Sequence, residues 1–480
     1  MSTEDPPKGQ IGVDQWVAQS GERREAATGS RGLIALVDER LGWWPRLALA
    51  ALAGLAFGLL TGNVNLLTVG FTCLLYAILS LGLNISVGWA GLLDLGYIAF
   101  VGFGAYGYAI FSSSALGTNG QGGTHLAALE SIPITVVAAG VAGAIIGVIA
   151  LRLEGDYLAI VTLFLGQAFA DAVNNVDAGT FGGVNGLFGL DGLHGFNGTV
   201  STPRGFYIVA LVVCAVLAGI LHLLDTSRTG RAWRALQDDA LAARAMTMPV
   251  KKLKVMAYSF GGAVGALGGA LFAAQQSSVF PTNFTETILI LIFACLVLGG
   301  AGSIAGAILG GVLVQAMEYL LASPKDSAYL FYGLIVIALV WKVRPWRYLA
   351  AVVAGTVVLG IVAHAVVGAI SSSATAGSAG STGWIGSVVS HWVIVPTNAA
   401  TYGNILFVVI ICCVIALMRL QGARRLALVA VTVYIGACCW ESRLVVNPAI
   451  TTQIMIGAIL VVTMAVRPNG LLGKRRVEIV

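Results

Sequence analysis

Along the chain, long apolar runs alternate with short polar breaks. The runs lie near 46–61, 66–84, 92–112, 132–151, 157–173, 206–223, 254–275, 286–300, 303–321, 328–342, 348–370, 403–418, 425–440 and 449–466. They number about fourteen, and most span roughly 15 to 25 residues, enough to cross about 30 Å of hydrocarbon at 1.5 Å per helical residue. Stretches such as "AYLFYGLIVIALVW" and "ILFVVIICCVIALM" are apolar on every face. That excludes a transmembrane barrel, whose strands alternate apolar and polar over about 10 residues. The pattern predicts an all-α integral membrane protein, a polytopic transmembrane helical bundle.

Composition agrees: 58% of the 480 residues are hydrophobic and 10% charged, far more apolar surface than one soluble core hides. The net charge of +5 matters through its placement. With the N-terminal Arg23, Arg24, Arg31, Arg40 and Arg46 inside, strict alternation puts "RLEGD", the stretch 226–254, "KVRPWR", "RLQGARR" and "RPNGLLGKRR" inside as well. Loops of the other parity, such as "SSSATAGSAGSTGW", are almost free of Lys and Arg, as the positive-inside rule requires. Both termini are therefore predicted to be cytoplasmic, and the polar first forty residues carry no cleavable signal pattern. The seven cysteines fall within apolar runs without a ligand-like spacing, and the five histidines are scattered, so neither a metal site nor a hydrolytic centre is expected. Nucleic acid is not implied. "GFGAYG" has the GxGxxG spacing but sits in a membrane run with no preceding strand, and no P-loop occurs anywhere in the chain.

Two stretches carry unusual chemistry. The first, "TSRTGRAWRALQDDALAARAMTMPVKKLKVMAY" (226–258), reads as a surface helix over about 229–249, capped by Thr229 and ended by Pro249. Ala232, Leu236, Ala240 and Ala243 share one face, leaving Arg231, Arg234, Asp238, Asp239 and Arg244 for water. It suits either an interfacial helix on the inner leaflet or a docking helix whose small alanines admit a partner and whose charges set register. The second, "LNISVGWAGLLDLGYIAF" (83–100), holds Asp94 in apolar surroundings, where a carboxylate costs roughly 2.5–3.5 kcal/mol. Gly88, Gly91 and Gly96 weaken the helix there, and broken helices present backbone groups to polar substrates. Asn84, Gly88, Gly91, Asp94 and Gly96 are the candidates for a helix break on a translocation path, with Asp94 either lining that path or capping the next helix. Thr162, Gln167, Asp171, Gln315 and Glu318 are further polar residues within apolar runs. Gly261, Gly265 and Gly269 in one helix, and Gly302, Gly306 and Gly310 in another, have the small-xxx-small spacing of close helix packing.

The order "LNISVGWAGLLDLGYIAFVGFGAY", "GDYLAIVTL", "GRAWRALQDDALAARAM", "GGALFAAQQ", "VLGGAGSIAGAILG" and "RPNGLLG" resembles the LivM-type inner-membrane permeases of branched-chain amino acid ABC transporters, continuously over about 45–345. The resemblance implies that Arg231–Met246 is the loop that docks into a cleft on an ATP-binding subunit, with Asp239, Ala242 and Ala243 near its acidic-plus-alanine signature. Thr247 stands where the family has a glycine. The resemblance further implies an ATP-driven importer for branched-chain or related apolar amino acids in the bacterial cytoplasmic membrane. Its partners would be a LivH-like second permease, two ATP-binding subunits and an extracytoplasmic binding protein. ATP and Mg²⁺ would sit on the partner subunits, leaving this chain without a cofactor and without an enzymatic activity. Relatives that carry urea or other small amides keep that substrate open, and an ion-gradient-driven secondary transporter is the rival from another class. About ten helices would form the permease core over 46–346, after a cytoplasmic or interfacial segment 1–45. About four more follow: 347–448 with a Ser/Gly-rich outer loop, then 449–480 with the terminal helix and basic tail. Either 347–448 was inserted ahead of the terminal motif, or the core ends at Trp346.

Overall fold

The computed structural model describes residues 42–113, 125–151, 153, 155–175, 181–195, 198–342, 346–370, 377, 381, 383–419, 423–446, 448–467 and 470–473. The segment 1–41, most of the Ser/Gly-rich loop and the tail from residue 474 lie outside the described residues. Each predicted apolar run contains a helix, the run 92–112 only from Tyr97: α1 (Trp43–Leu60), α2 (Val64–Leu83), α3 (Tyr97–Phe111), α4 (Ala128–Ala150), α5 (Asp156–Asn175), α6 (Pro203–Thr226), then two short helices α7 (Arg228–Asp238) and α8 (Ala240–Ala245). There follow α9 (Val250–Gln276), α10 (Glu286–Gly299), α11 (Ile304–Ala322), α12 (Pro324–Lys342) and α13 (Trp346–Ile370). The chain continues through α14 (Gly383–Val389), α15 (Ala399–Arg419), α16 (Ala423–Val446) and α17 (Pro448–Val466). Ten helical spans among the described residues are long and apolar enough to cross a bilayer, and the chain is an all-α multi-pass membrane protein.

The centre of the bundle is α9, which packs against α2, α3 and α4, while α11 packs against α2 and α10. Glycine makes the approach close enough. A Cβ on Gly269 would come within 1.9 Å of the Val101 carbonyl oxygen on α3, and one on Gly310 within 1.8 Å of the Cys295 carbonyl oxygen on α10. Lipid tails are as apolar as leucine, so such backbone contact replaces the hydrophobic force that would hold these helices together in water. Gly302, expected within a helix, lies instead in the turn before α11 with φ +84°. The helix starts one residue after Ser303, whose hydroxyl accepts the Gly306 N–H at 3.2 Å.

Short strands, which apolar periodicity does not foresee, cover the end of the bundle remote from α7 and α8. β1 (Leu187–Phe188) pairs antiparallel with β4 (Ser278–Val279), Leu187 opposite Val279, and β2 (Leu193–Gly195) pairs with β3 (Gly198–Val200). Beyond α12, α16 packs on α13 and α15 around Val389, Val393, Tyr434 and Ala437. The buried Glu441 of α16 accepts hydrogen bonds from the Ser381 N–H (2.8 Å), the Ser381 hydroxyl (2.5 Å) and the Tyr332 hydroxyl of α12 (3.0 Å). The chain then returns to the core. α17 packs on α10 and α11, and the N–H groups of Leu471 and Leu472 donate to the Leu298 and Gly299 carbonyls at 3.0 and 2.9 Å.

Candidate functional site

At one end of the bundle the "LNISVGWAGLLDLG" stretch forms a junction of four elements. Helix α2 widens into a π-helical turn over Asn84–Trp89, and the chain stays non-helical until Tyr97. The buried Asn84 side chain leaves its own helix, its Oδ1 accepting the Gly302 N–H at 2.7 Å, while the Trp89 indole N–H donates to the Gly302 carbonyl at 3.3 Å. Gly88 lies beneath that contact, where a Cβ would come within 1.9 Å of Asn84 Oδ1. Gly91 has φ +67° and lies against Gln237 of α7, a left-handed conformation that glycine adopts without steric cost. At Gly96 a Cβ would meet the Thr162 carbonyl of α5 at 2.4 Å, and the Leu95 N–H donates to the Thr162 hydroxyl at 3.0 Å.

Asp94 is 2% exposed. Its Oδ1 accepts the Gly96 N–H at 3.1 Å, an Asx turn that shapes the entry to α3. A cavity beside it is lined by Gly91, Leu92 and Leu93 together with Leu236, Leu241 and Arg244.

The polar stretch 226–258 differs from its prediction. It is two helices, and the N-cap is Ser227, whose hydroxyl accepts the Gly230 N–H at 3.3 Å, two residues before Thr229. The break falls at Asp239, where φ −155° and ψ 108° end α7. Asp239 Oδ1 then accepts the N–H groups of Leu241 and Ala242 at 2.8 and 2.9 Å and starts α8. Local capping by a short carboxylate has won over helix continuation. The second helix stops at Ala245, well before Pro249, and Thr247 adopts φ +60°.

The inward stripe is Gly230, Trp233 and Leu236, and sequence reading missed Trp233. It is fully buried, donates its indole N–H to the Leu253 carbonyl at 2.8 Å, and stacks on Trp89 with ring centroids 6.2 Å apart. The spacing 230, 233, 236 was the signal that could have found it. Arg234 turns back to pair with Asp225 at the end of α6, 2.9 Å apart, and Arg231 donates to the Thr226 carbonyl at 2.7 Å. Ala243 is buried, whereas Asp238, Asp239, Ala242 and Arg244 are exposed. Beside them Leu241 and Met246 are each 74% exposed.

At the opposite end, α2, α3, α9, α10 and α11 enclose a chamber of about 250 Å³. Phe272 and Gln275 on its wall follow the start of α9 by 22 to 25 residues, about 33–38 Å along the helix. Glu318 and Gln315 project into it, with the Gln315 amide N–H donating to Glu318 Oε2 at 2.8 Å. Gln167 and Asp171 line a separate, open groove against Thr285 and Thr287. The structure thus brings Asn84, Gly88, Gly91, Asp94 and Gly96 together at the α7 end, and Gln315 and Glu318 at the other.

The family model described as the permease component of branched-chain amino acid transport systems matches residues 65–340, more than half of the chain. The chain belongs to this family. The high-affinity branched-chain amino acid transport system permease LivM of Escherichia coli (strain K12) is 34% identical over 305 residues, covering 58% of this chain and 69% of that protein. The LivM permease of Salmonella typhimurium is 33% identical over the same shares. The L-arabinose transport system permease AraH of Escherichia coli is 32% identical over 138 residues, 27% of this chain and 41% of AraH. No solved structure matches the chain. The matched region contains the junction, α7, α8 and the chamber, and ends within α12, before α13–α17.

Proposed function

We propose that this chain is the membrane-spanning permease subunit of an ATP-driven importer of branched-chain or related apolar amino acids in the cytoplasmic membrane. The observation that carries the reading is the family match over residues 65–340, the stretch that holds junction, docking helices and chamber, beside 34% identity to LivM over 58% of the chain. The partners are a second permease, two ATP-binding subunits that carry ATP and Mg²⁺, and an extracytoplasmic binding protein. The docking surface is the exposed side of α7 and α8, with Asp238, Asp239, Ala242 and Arg244 around the apolar Leu241 and Met246. Its geometry suits insertion into a cleft, an apolar centre with a charged rim. An ATPase can shift the permease between two states only through different affinity for each. Movement of α7 reaches the membrane helices through the Trp233–Trp89 stack and through Gln237 against Gly91. The return of α17 and residues 471–472 onto α10 supports reading 347–448 as an insertion ahead of the terminal motif.

Uptake of labelled leucine into vesicles holding the chain with and without its ATPases tests the proposal. Uptake that needs ATP and the ATPases is expected; uptake driven by a proton or sodium gradient without them would replace this reading by a secondary transporter. Leu241→Asp with Met246→Asp should abolish ATPase co-purification while the chain stays folded.

A further inference from the structure

The chamber remote from α7 has a lining that divides by chemistry. One wall is apolar and carried on three helices: Phe71, Leu75 and Leu79 of α2, Val101 of α3, Phe272 of α9. The polar lining holds one carboxylate, Glu318, the neutral amides Gln315, Gln275, Gln276 and Asn283, and the hydroxyls of Thr72 and Tyr76. Among the described residues, no Lys, Arg or His lines it. Gln315 occupies Glu318 Oε2, which leaves Oε1 without a protein donor among the described residues. Asn283 ends a single 3₁₀ turn (Pro281–Asn283) and Gln275 lies in the last turn of α9, three residues before β4, so both amides sit on backbone that regular hydrogen bonding fixes.

We infer that this chamber binds one zwitterionic α-amino acid with a branched apolar side chain: Glu318 receives the ammonium group, the Gln275 and Asn283 amides receive the carboxylate, and the Phe71–Leu79–Phe272 wall receives the side chain. The inference rests on the transport reading and deepens it. A bare carboxylic acid would face Glu318 with nothing to balance the charge, which makes the carboxylate a selecting element as much as a binding one. A sugar would press hydroxyls against the apolar wall, and each hydroxyl buried without a partner costs free energy. Urea would satisfy the amides but leave the wall unfilled. About 250 Å³ lies just below the range of about 300–1,000 Å³ usual for drug-sized ligands, a size suited to a single amino acid rather than a peptide. The amide rim lets a carboxylate enter without a cation that would hold it against release.

The test is equilibrium binding of labelled L-leucine to the full chain in lipid nanodiscs. The competitors are leucine methyl ester, which lacks the carboxylate, 4-methylpentanoate, which lacks the ammonium, and L-arabinose and urea. Leucine should compete best, the ester less well, and 4-methylpentanoate at least about tenfold more weakly than leucine, as expected for loss of a hydrogen bond to a charged group. Glu318→Gln should weaken leucine binding about tenfold or more and remove most of the discrimination against 4-methylpentanoate. Gln275→Leu, on the rim, should weaken leucine but not its methyl ester. A folded wild-type chain that binds no leucine, variants with unchanged selectivity, or equal competition by arabinose or urea would each overturn the inference. Leucine uptake by the assembled complex separates the two readings. Uptake that survives both variants with unaltered affinity removes the chamber and keeps the transporter. Chamber binding without ATP-dependent uptake does the reverse.

Discussion

The two ends of the permease core are built on opposite principles. At the α7 end, the Asn84 and Trp89 side chains are locked to the Gly302 backbone by hydrogen bonds, Gly91 packs against Gln237, and an added Cβ at Gly88 would collide with Asn84. At the other end Gln275, Asn283 and Glu318 surround open space. Both ends contain polar residues in an apolar bundle, yet Asn84 and Asp94 at the first bond the backbone of the junction itself, while Glu318 at the second bonds a side chain, Gln315, on the wall of an open cavity. A polar residue in a membrane helix is therefore the stronger site candidate when it borders open space than when it shapes its own backbone. By that criterion the conspicuous Asp94 is architectural, and the less conspicuous Glu318 is the better candidate for meeting a solute.

Substitution can break this contrast, beginning with the largest effect. Trp233→Ala removes a fully buried indole, its hydrogen bond to Leu253 and the stack on Trp89. It should destabilise the chain by about 3–5 kcal/mol, seen as a lower unfolding midpoint in detergent, with no change in which competitors displace leucine. Asn84→Ala leaves the Gly302 N–H without its acceptor and should cost about 1–3 kcal/mol, checked the same way. Asp94→Ala loses the turn to Gly96 and should cost about 1 kcal/mol, while Asp94→Asn keeps an oxygen acceptor and should cost less. Normal leucine affinity in both confirms Asp94 as a turn residue, and a loss of affinity in Asp94→Asn would return it to the solute path. Thr247→Gly should raise stability by about 1 kcal/mol, because a β-branched residue at φ +60° is strained where glycine is not. The smallest effect on stability belongs to the chamber. Gln275→Leu should leave unfolding within about 0.5 kcal/mol, which sharpens the contrast if selectivity moves and stability does not.

The sequence showed the helices clearly because a lipid-facing helix must be apolar over its full length. Every run named from hydropathy contains a helix, down to α15, α16 and α17 beyond the family match, although the run 92–112 becomes helical only at Tyr97. Gly88, Gly91 and Gly96 also announced the broken helix, since their spacing weakens helix whatever surrounds it. Other features were hidden for distinct reasons. Asp239 sits among good helix formers, and only the fold reveals that its carboxylate restarts the helix instead of riding on it. Trp233 was obscured by the alanines around it, which form a plausible face of their own. The chamber could not be read at all: Phe71, Val101, Phe272, Asn283 and Glu318 come from five parts of the chain, and their meeting depends on glycine contacts between helices. Thr247 was legible as an exception to the family pattern, and its left-handed backbone gives that exception a physical cost.

The pairing of Leu471 and Leu472 with Leu298 and Gly299 sets an order of events during synthesis. The carbonyls at the end of α10 leave the ribosome about 170 residues before their partners, a delay of roughly ten to thirty seconds at ~5–20 residues per second. Through that interval α10 is in the membrane without the turn that caps its last carbonyls, while α13 to α16 are being inserted. The packing at the end of α10 is thus completed by a segment made after α13 to α16, and a product truncated before residue 471 is left without it.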